Sequence, residues 1–138
     1  MSQLSFSNVE KAYNTLNTCY QDYLNNQDSP LLEYICDSCV KRFEYTLETS
    51  WKFMKKLLIQ KYGKTDEELT LNNIFRFMEG YGYAKDWQKW KEYYQKRNNT
   101  AHEYNLEKSR KLLEIIPDFI KDMAYLVEIL KEKLNDDN

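Results

Sequence analysis

Residues 32–58, LEYICDSCVKRFEYTLETSWKFMKKLL, decide the fold. Leu32, Cys36, Cys39, Phe43, Leu47, Trp51, Met54 and Leu58 recur at steps of three or four. Their mean step of about 3.7 lies on the α-helical period and far from the two-residue alternation of a strand. The stretch reads as one long helix with a single apolar stripe. Asp28-Ser29-Pro30 ahead of it is a start signal: a capping side chain, then a proline at the first helical position. Gly63 behind it is placed to end the helix in the left-handed conformation.

The same periodicity extends in both directions. Upstream, Val9, Ala12, Leu16, Cys19 and Tyr23 mark a first helix, capped by Ser5 or Ser7 and closed by Asn25-Asn26. Downstream come a short helix around Leu71 to Met78 and a turn at Gly80-Tyr81-Gly82. Asp86 then caps a helix opened by Trp87. A last helix from about Asn105 to Leu134 buries Leu112, Ile116, Phe119, Met123, Val127 and Leu130. Pro117 inside it removes a backbone donor and is expected to kink or split it. With three glycines and two prolines in 138 residues there is little room for the turns of a β fold. Residues 1–138 are therefore expected to form one all-α domain, an antiparallel bundle of four to five helices.

Composition narrows the function. Hydrophobic content of 42% and charged content of 30% suit a globular protein rather than a disordered one. No apolar run approaches the ~18 residues that span a membrane, and Met1-Ser2-Gln3-Leu4-Ser5 lacks the features of a signal peptide, so a cytoplasmic location is expected. Asn98-Asn99-Thr100 matches a glycosylation acceptor, which carries no weight without a secretory signal. Cys19, Cys36 and Cys39 are odd in number and read as reduced core thiols. Cys36 and Cys39 have no further ligands nearby for a metal, and no cofactor is implied. The net charge is −2, yet residues 41–64 hold seven Lys or Arg against two Glu, a balance of +5. Residues 85–97 hold five against two, a balance of +3. Such runs are either solvated helix faces or polyanion sites.

One segment carries chemistry. On the fourth helix Trp87, Trp90 and Tyr94 share a face that is expected to be buried. Continued at 100° per residue, that helix places Arg97 about 80° to one side of Trp87 and His102 about 60° to the other. Tyr104 lies two turns beyond Arg97 on the same edge. Taken alone, the pair reads more readily as an arginine snorkelling to solvent and a satisfied histidine than as a functional site.

Arg97-Asn98-Asn99-Thr100-Ala101-His102-Glu103-Tyr104 resembles the signature of the HEPN superfamily, and Arg-x4-His-x-Tyr is met at every fixed position. More narrowly, it resembles nucleotidyltransferase substrate-binding proteins and the HEPN toxins paired with minimal nucleotidyltransferase antitoxins. Arg42-Phe43-Glu44-Tyr45-Thr46-Leu47-Glu48-Thr49-Ser50-Trp51-Lys52 is similar to a second family pattern, with Leu47 in place of the usual Phe. The resemblance covers about residues 35–130. It implies a bundle that dimerises through the motif helix and works beside a small nucleotidyltransferase. Toxin members are metal-independent ribonucleases, silenced when the antitoxin transfers AMP to the motif tyrosine, here Tyr104. Other members are the substrate-binding subunit of a two-part nucleotidyltransferase. The chain itself shows no nucleotidyltransferase motif and no phosphate loop.

The ribonuclease chemistry can be stated from the residues. Metal-free RNA cleavage uses the ribose 2′-OH as nucleophile on the adjacent phosphate. His102 supplies a base of near-neutral pKa, Arg97 holds the phosphate, and Asn98 orients the scissile group. The leaving oxygen needs a second proton carrier, and the chain has one histidine. A symmetric homodimer with two copies of His102 in one cleft would supply it. Glu48 is either a solvated helix residue or a partner that pairs with Arg97 or tunes His102. Three readings stand at this point: a HEPN ribonuclease toxin acting on RNA, a non-catalytic substrate- or nucleotide-binding subunit, and a purely structural helical dimer.

Overall fold

The structure, a computed structural model, describes residues 4–100 and 106–135. Five α-helices account for most of them: α1 (Ser7–Asn25), α2 (Leu32–Tyr62), α3 (Leu71–Gly80), α4 (Trp87–Thr100) and α5 (Leu106–Asn135). No strand occurs among the described residues. A single 3-10 turn, Asp66–Glu68, lies between α2 and α3. Thr65 and Glu68 close it with a reciprocal capping box, which holds the Glu68 carboxyl below its ordinary range through the backbone and hydroxyl donors of Thr65. The bundle form expected from periodicity is the one observed.

α2 is the central element, packed against α1, α3, α4 and α5. α1 runs antiparallel along it: Cys19 meets Cys39, and the Ala12 carbonyl accepts from Thr46 Oγ1 at 3.2 Å. Gly63 ends α2 at φ 67°, the left-handed conformation that a residue without Cβ adopts at little cost. The start of α2 differs from expectation. Leu32, not Pro30, is its first residue, because the Ser29 hydroxyl accepts from the Leu31 N–H and closes a turn instead of the helix. Likewise α1 begins at Ser7 with Phe6 before it, while the Ser5 hydroxyl accepts from the Ser7 N–H.

One core links all the helices, and its centre is aromatic. The Phe119 ring on α5 meets Phe43 of α2 at 4.9 Å, Trp90 of α4 at 5.7 Å and Tyr93 of α4 at 5.0 Å, all edge to face. Such geometry favours the positive ring edge against the negative face and adds to the burial of area itself. Trp90 also meets Phe75 of α3. Tyr93 and Trp90 are almost wholly enclosed, at 2% and 1% exposure, whereas Trp87 and Tyr94 are half-buried. The buried face of α4 is thus centred on Trp90 and Tyr93, not on the expected Trp87, Trp90 and Tyr94. Trp87 instead stacks under the Arg76 guanidinium at 4.4 Å.

α5 runs through Pro117 as one helix, contrary to the expected split. Ile116 and Phe119, on either side of the proline, are fully buried. Their packing offsets the roughly 3 kcal/mol that an interior proline costs. A part-buried hydrogen bond from the Tyr93 hydroxyl to the Asp122 carboxylate fastens α4 to α5.

Two outcomes follow from this core. Phe119→Ala removes the ring on which three helices meet and should cost about 3–5 kcal/mol in chemical denaturation. The second concerns pH. Burial pushes the Asp122 carboxyl above its ordinary value, against the opposing effects of Tyr93 and Lys89. A carboxyl raised in the folded state binds its proton more tightly there than in the unfolded chain. Its contribution to stability is full below the ordinary carboxylate range and is lost as pH rises through the raised value. Asp122→Asn keeps an acceptor for Tyr93 and removes the buried charge. Its stability relative to the parent should therefore increase from acid to neutral pH in denaturant titrations; a difference that shrinks over that range would contradict this account.

Candidate functional site

Arg97 owes its position to the aromatic pair before it. It lies seven residues after Trp90 and four after Tyr93, so at 100° per residue it falls within about 40° of both. The expectation put Arg97 at the border of the buried face; with that face centred on Trp90 and Tyr93, the guanidinium lies within it. Its side chain is 28% exposed. A charge held that far from water requires partners. The neighbouring helix α2 supplies them.

Glu48 Oε2 accepts from Arg97 Nη2 at 3.4 Å. The other oxygen of the same carboxylate, Oε1, lies 3.1 Å from Lys52 Nζ, one helical turn further along α2. Glu48 is 41% exposed, so these pairs fix geometry more than they add stability; exposed pairs contribute about 0.2–1 kcal/mol. One turn before Glu48 stands Glu44, which sequence reasoning did not single out. It is half-buried, and burial pushes its carboxyl above the ordinary range, although Arg97 and Lys41 pull it down. The like charge of Glu48 pushes it up as well. Its four-residue spacing from Glu48 was the available signal, once Arg97 was known to face α2.

Of the residues expected to form a site, Arg97 and Glu48 are brought together. Asn98 follows Arg97 within α4, which continues as a helix to Thr100 despite three poor helix formers. The side chain of Asn98, and His102 and Tyr104 altogether, lie outside the described residues. Among the described residues no group of three His, Cys, Asp or Glu side chains is placed to hold a metal ion. Cys36 and Cys39 are buried and Cys19 is half-buried, all three as free thiols. Burial, with a hydrogen bond shared with Cys19, pushes the Cys39 thiol up. No helix among the described residues is long and apolar enough to cross a membrane.

What this arrangement can do chemically is bind an anion at one place. A guanidinium emerges from an aromatic core at the end of α4, held by a half-exposed carboxylate that can be exchanged for a phosphate. Comparison with known proteins gives that site a setting. A curated relative from Haemophilus influenzae, a probable ribonuclease HepT, is 29% identical over 115 residues, covering 82% of this chain and 79% of the relative. A solved structure from Haemophilus influenzae, described as revealing the fold of a substrate binding domain of a nucleotidyltransferase, superposes with a TM-score of 0.82. It is 26% identical and covers 92% of this chain and 99% of the other. A solved structure from Thermus thermophilus superposes with a TM-score of 0.73 at 26% identity, covering 89% of this chain and 98% of the other. The family model described as nucleotidyltransferase substrate binding protein like matches residues 4–132. The chain belongs to this HEPN and nucleotidyltransferase substrate-binding family.

Proposed function

We propose that the protein is a HEPN-type toxin: a metal-independent endoribonuclease, acting as a homodimer in the cytoplasm and neutralised by a cognate minimal nucleotidyltransferase. The observation that carries this reading is Arg97. It opens the complete Arg-x4-His-x-Tyr motif, it is held toward α2 by Glu48, and the chain's curated relative is named a probable ribonuclease.

The steps balance with side chains alone. Arg97 pairs with the scissile phosphate and Asn98 orients it. His102 takes the proton of the ribose 2′-OH, whose oxygen attacks the phosphorus. The bond to the 5′-oxygen breaks, and that oxygen receives a proton from the second copy's histidine. The products are a 2′,3′-cyclic phosphate and a free 5′-hydroxyl. Glu48 acts as a positioning residue that aims the guanidinium. Tyr104, two residues from His102 in the sequence, is where AMP transfer would block the site. An attached phosphate would compete for Arg97, and the adenine would occupy space that RNA needs.

A second reading is favoured by the family's description and by the Haemophilus influenzae structure: a non-catalytic substrate- or nucleotide-binding subunit of a two-component nucleotidyltransferase. The same Arg97 would then hold a nucleotide phosphate without reaction.

His102→Ala and Arg97→Ala should each abolish RNA cleavage and growth arrest while leaving the helical circular dichroism intact. Cleavage should persist in excess chelator, because every role is filled by a side chain, and the product ends should be 2′,3′-cyclic phosphates. Loss of activity in chelator would overturn the mechanism, and no cleavage of any cellular RNA by the parent would leave the binding-subunit reading. Regulation has its own test. Co-expression with the partner nucleotidyltransferase should add mass in units of AMP, absent in Tyr104→Phe. A neutralised but unmodified chain would mean that the partner acts by binding alone.

A further inference from the structure

The outward face of α2 is used by the mechanism only at Glu48. At 100° per residue, Tyr34, Lys41, Tyr45, Lys52, Lys56 and Ile59 fall within about 40° of one line along that helix. All six are exposed, and the two tyrosines show 72% and 57% of their surface to solvent. The opposite face holds Cys36, Phe43, Leu47, Met54 and Leu58 in the core. The long helix is thus built with its inner side apolar and its outer side basic and aromatic.

We propose that this face of α2 is the track on which single-stranded RNA lies as it approaches Arg97, with the lysines on phosphates and Tyr34 and Tyr45 beneath bases. The proposal rests on the ribonuclease reading for its ligand and extends that reading to residues outside the motif.

Charge distribution argues for a polyanion. The whole chain carries −2, yet residues 41–64 carry +5, which leaves −7 for everything else. Basic character is therefore confined to this segment and the smaller one ending at Arg97, and a phosphate backbone is drawn to them and repelled elsewhere. The tyrosines argue for a nucleic acid strand with accessible bases. Tyr34 and Tyr45, about 16 Å apart along the helix, are too exposed to serve the core, and every base has a face to stack on such rings. Position supplies the third argument. Lys52 meets Glu48, and Glu48 meets Arg97, so the stripe leads to the candidate site through two ion pairs. A second copy of the chain is a poor occupant, since a two-fold contact would set this basic face against itself.

The test uses full-length protein carrying His102→Ala, which keeps the probe intact, and a fluorescent oligouridylate in an anisotropy titration over a range of salt. Tyr45→Ala should weaken binding by about fivefold or more, the loss of one stacked base. Lys41→Gln with Lys56→Gln should reduce the slope of log K against log salt by about 1.4, two phosphate contacts on a single strand. With His102 restored, the same substitutions should raise KM and leave kcat nearly unchanged. Unaltered affinity and salt slope would overturn the proposal, as would a change in sedimentation instead of RNA affinity, which would make the face a contact between copies. The two readings separate cleanly. Parent protein that binds through this face but cleaves nothing keeps the track and loses the ribonuclease. Parent and triply substituted protein that cleave alike, with equal KM, do the reverse.

Discussion

The contact on which the architecture turns is the meeting of Phe119 with Phe43, Trp90 and Tyr93. α4 is short and strongly polar: outside its aromatic residues it has almost nothing to bury. Isolated helices of its length are marginal in water, so its position must come from packing. Two large rings, both against Phe119 of α5 and one also against Phe75 of α3, provide that packing and fix the rotation of α4 about its axis. The Tyr93 hydroxyl bonded to Asp122 sets the rotation more tightly, because a slip would leave a half-buried carboxylate without its donor. Once Trp90 and Tyr93 point inward, Arg97 points inward as well.

This is why a charged residue stands in a face that is otherwise aromatic. The rotation of α4 forces the guanidinium toward α2, and α2 answers with carboxylates at two successive turns, Glu44 and Glu48. The arrangement is electrostatically uneven. The two carboxylates repel each other, and burial acts on Glu44 in the same sense, so its proton is held more tightly than usual. Arg97 relieves that repulsion. On the proposed reading, an anion competing for Arg97 would not strand a fully enclosed charge, as it would in a buried ion pair.

The long elements were legible because each repeats one signal many times. Eight apolar residues at helical spacing specify α2 whatever its neighbours are, and Gly63 and Asp86 act through backbone needs that are local. Less legible was anything decided by neighbours. The buried surface of α2 is wider than its stripe because four helices lie against it. Thr46 and Ser50 are therefore buried too, their hydroxyls donating to the carbonyls of Ala12 and Thr46. No hydrophobic pattern registers such residues. Tyr93 was missed for a related reason: residues 87–94 of α4 carry aromatic rings at 87, 90, 93 and 94, so the pattern allows two neighbouring faces, and only the position of Phe119 on α5 chooses between them. Pro117 misled because its local cost is real but smaller than the packing of Ile116 and Phe119 beside it. At the site, the motif was legible as a string. The pairing of Arg97 with Glu48 spans 49 positions and depends on that same choice of face.

The geometry of Glu48 also bears on how a phosphate would enter. Its two oxygens serve different cations, Oε1 facing Lys52 and Oε2 facing Arg97. Were Arg97 to turn to a phosphate, as proposed, Glu48 would therefore not become an orphan: it would keep Lys52 and, being partly exposed, take up water. On the proposed reading the exchange would replace one charge-assisted hydrogen bond by another, the planar fork of the guanidinium matching two phosphate oxygens. A lysine at position 97 would lose the advantage, because an ammonium has no planar fork to distinguish the two partners. On that reading the arrangement would hold the cation toward α2 and release it at small cost to an arriving anion.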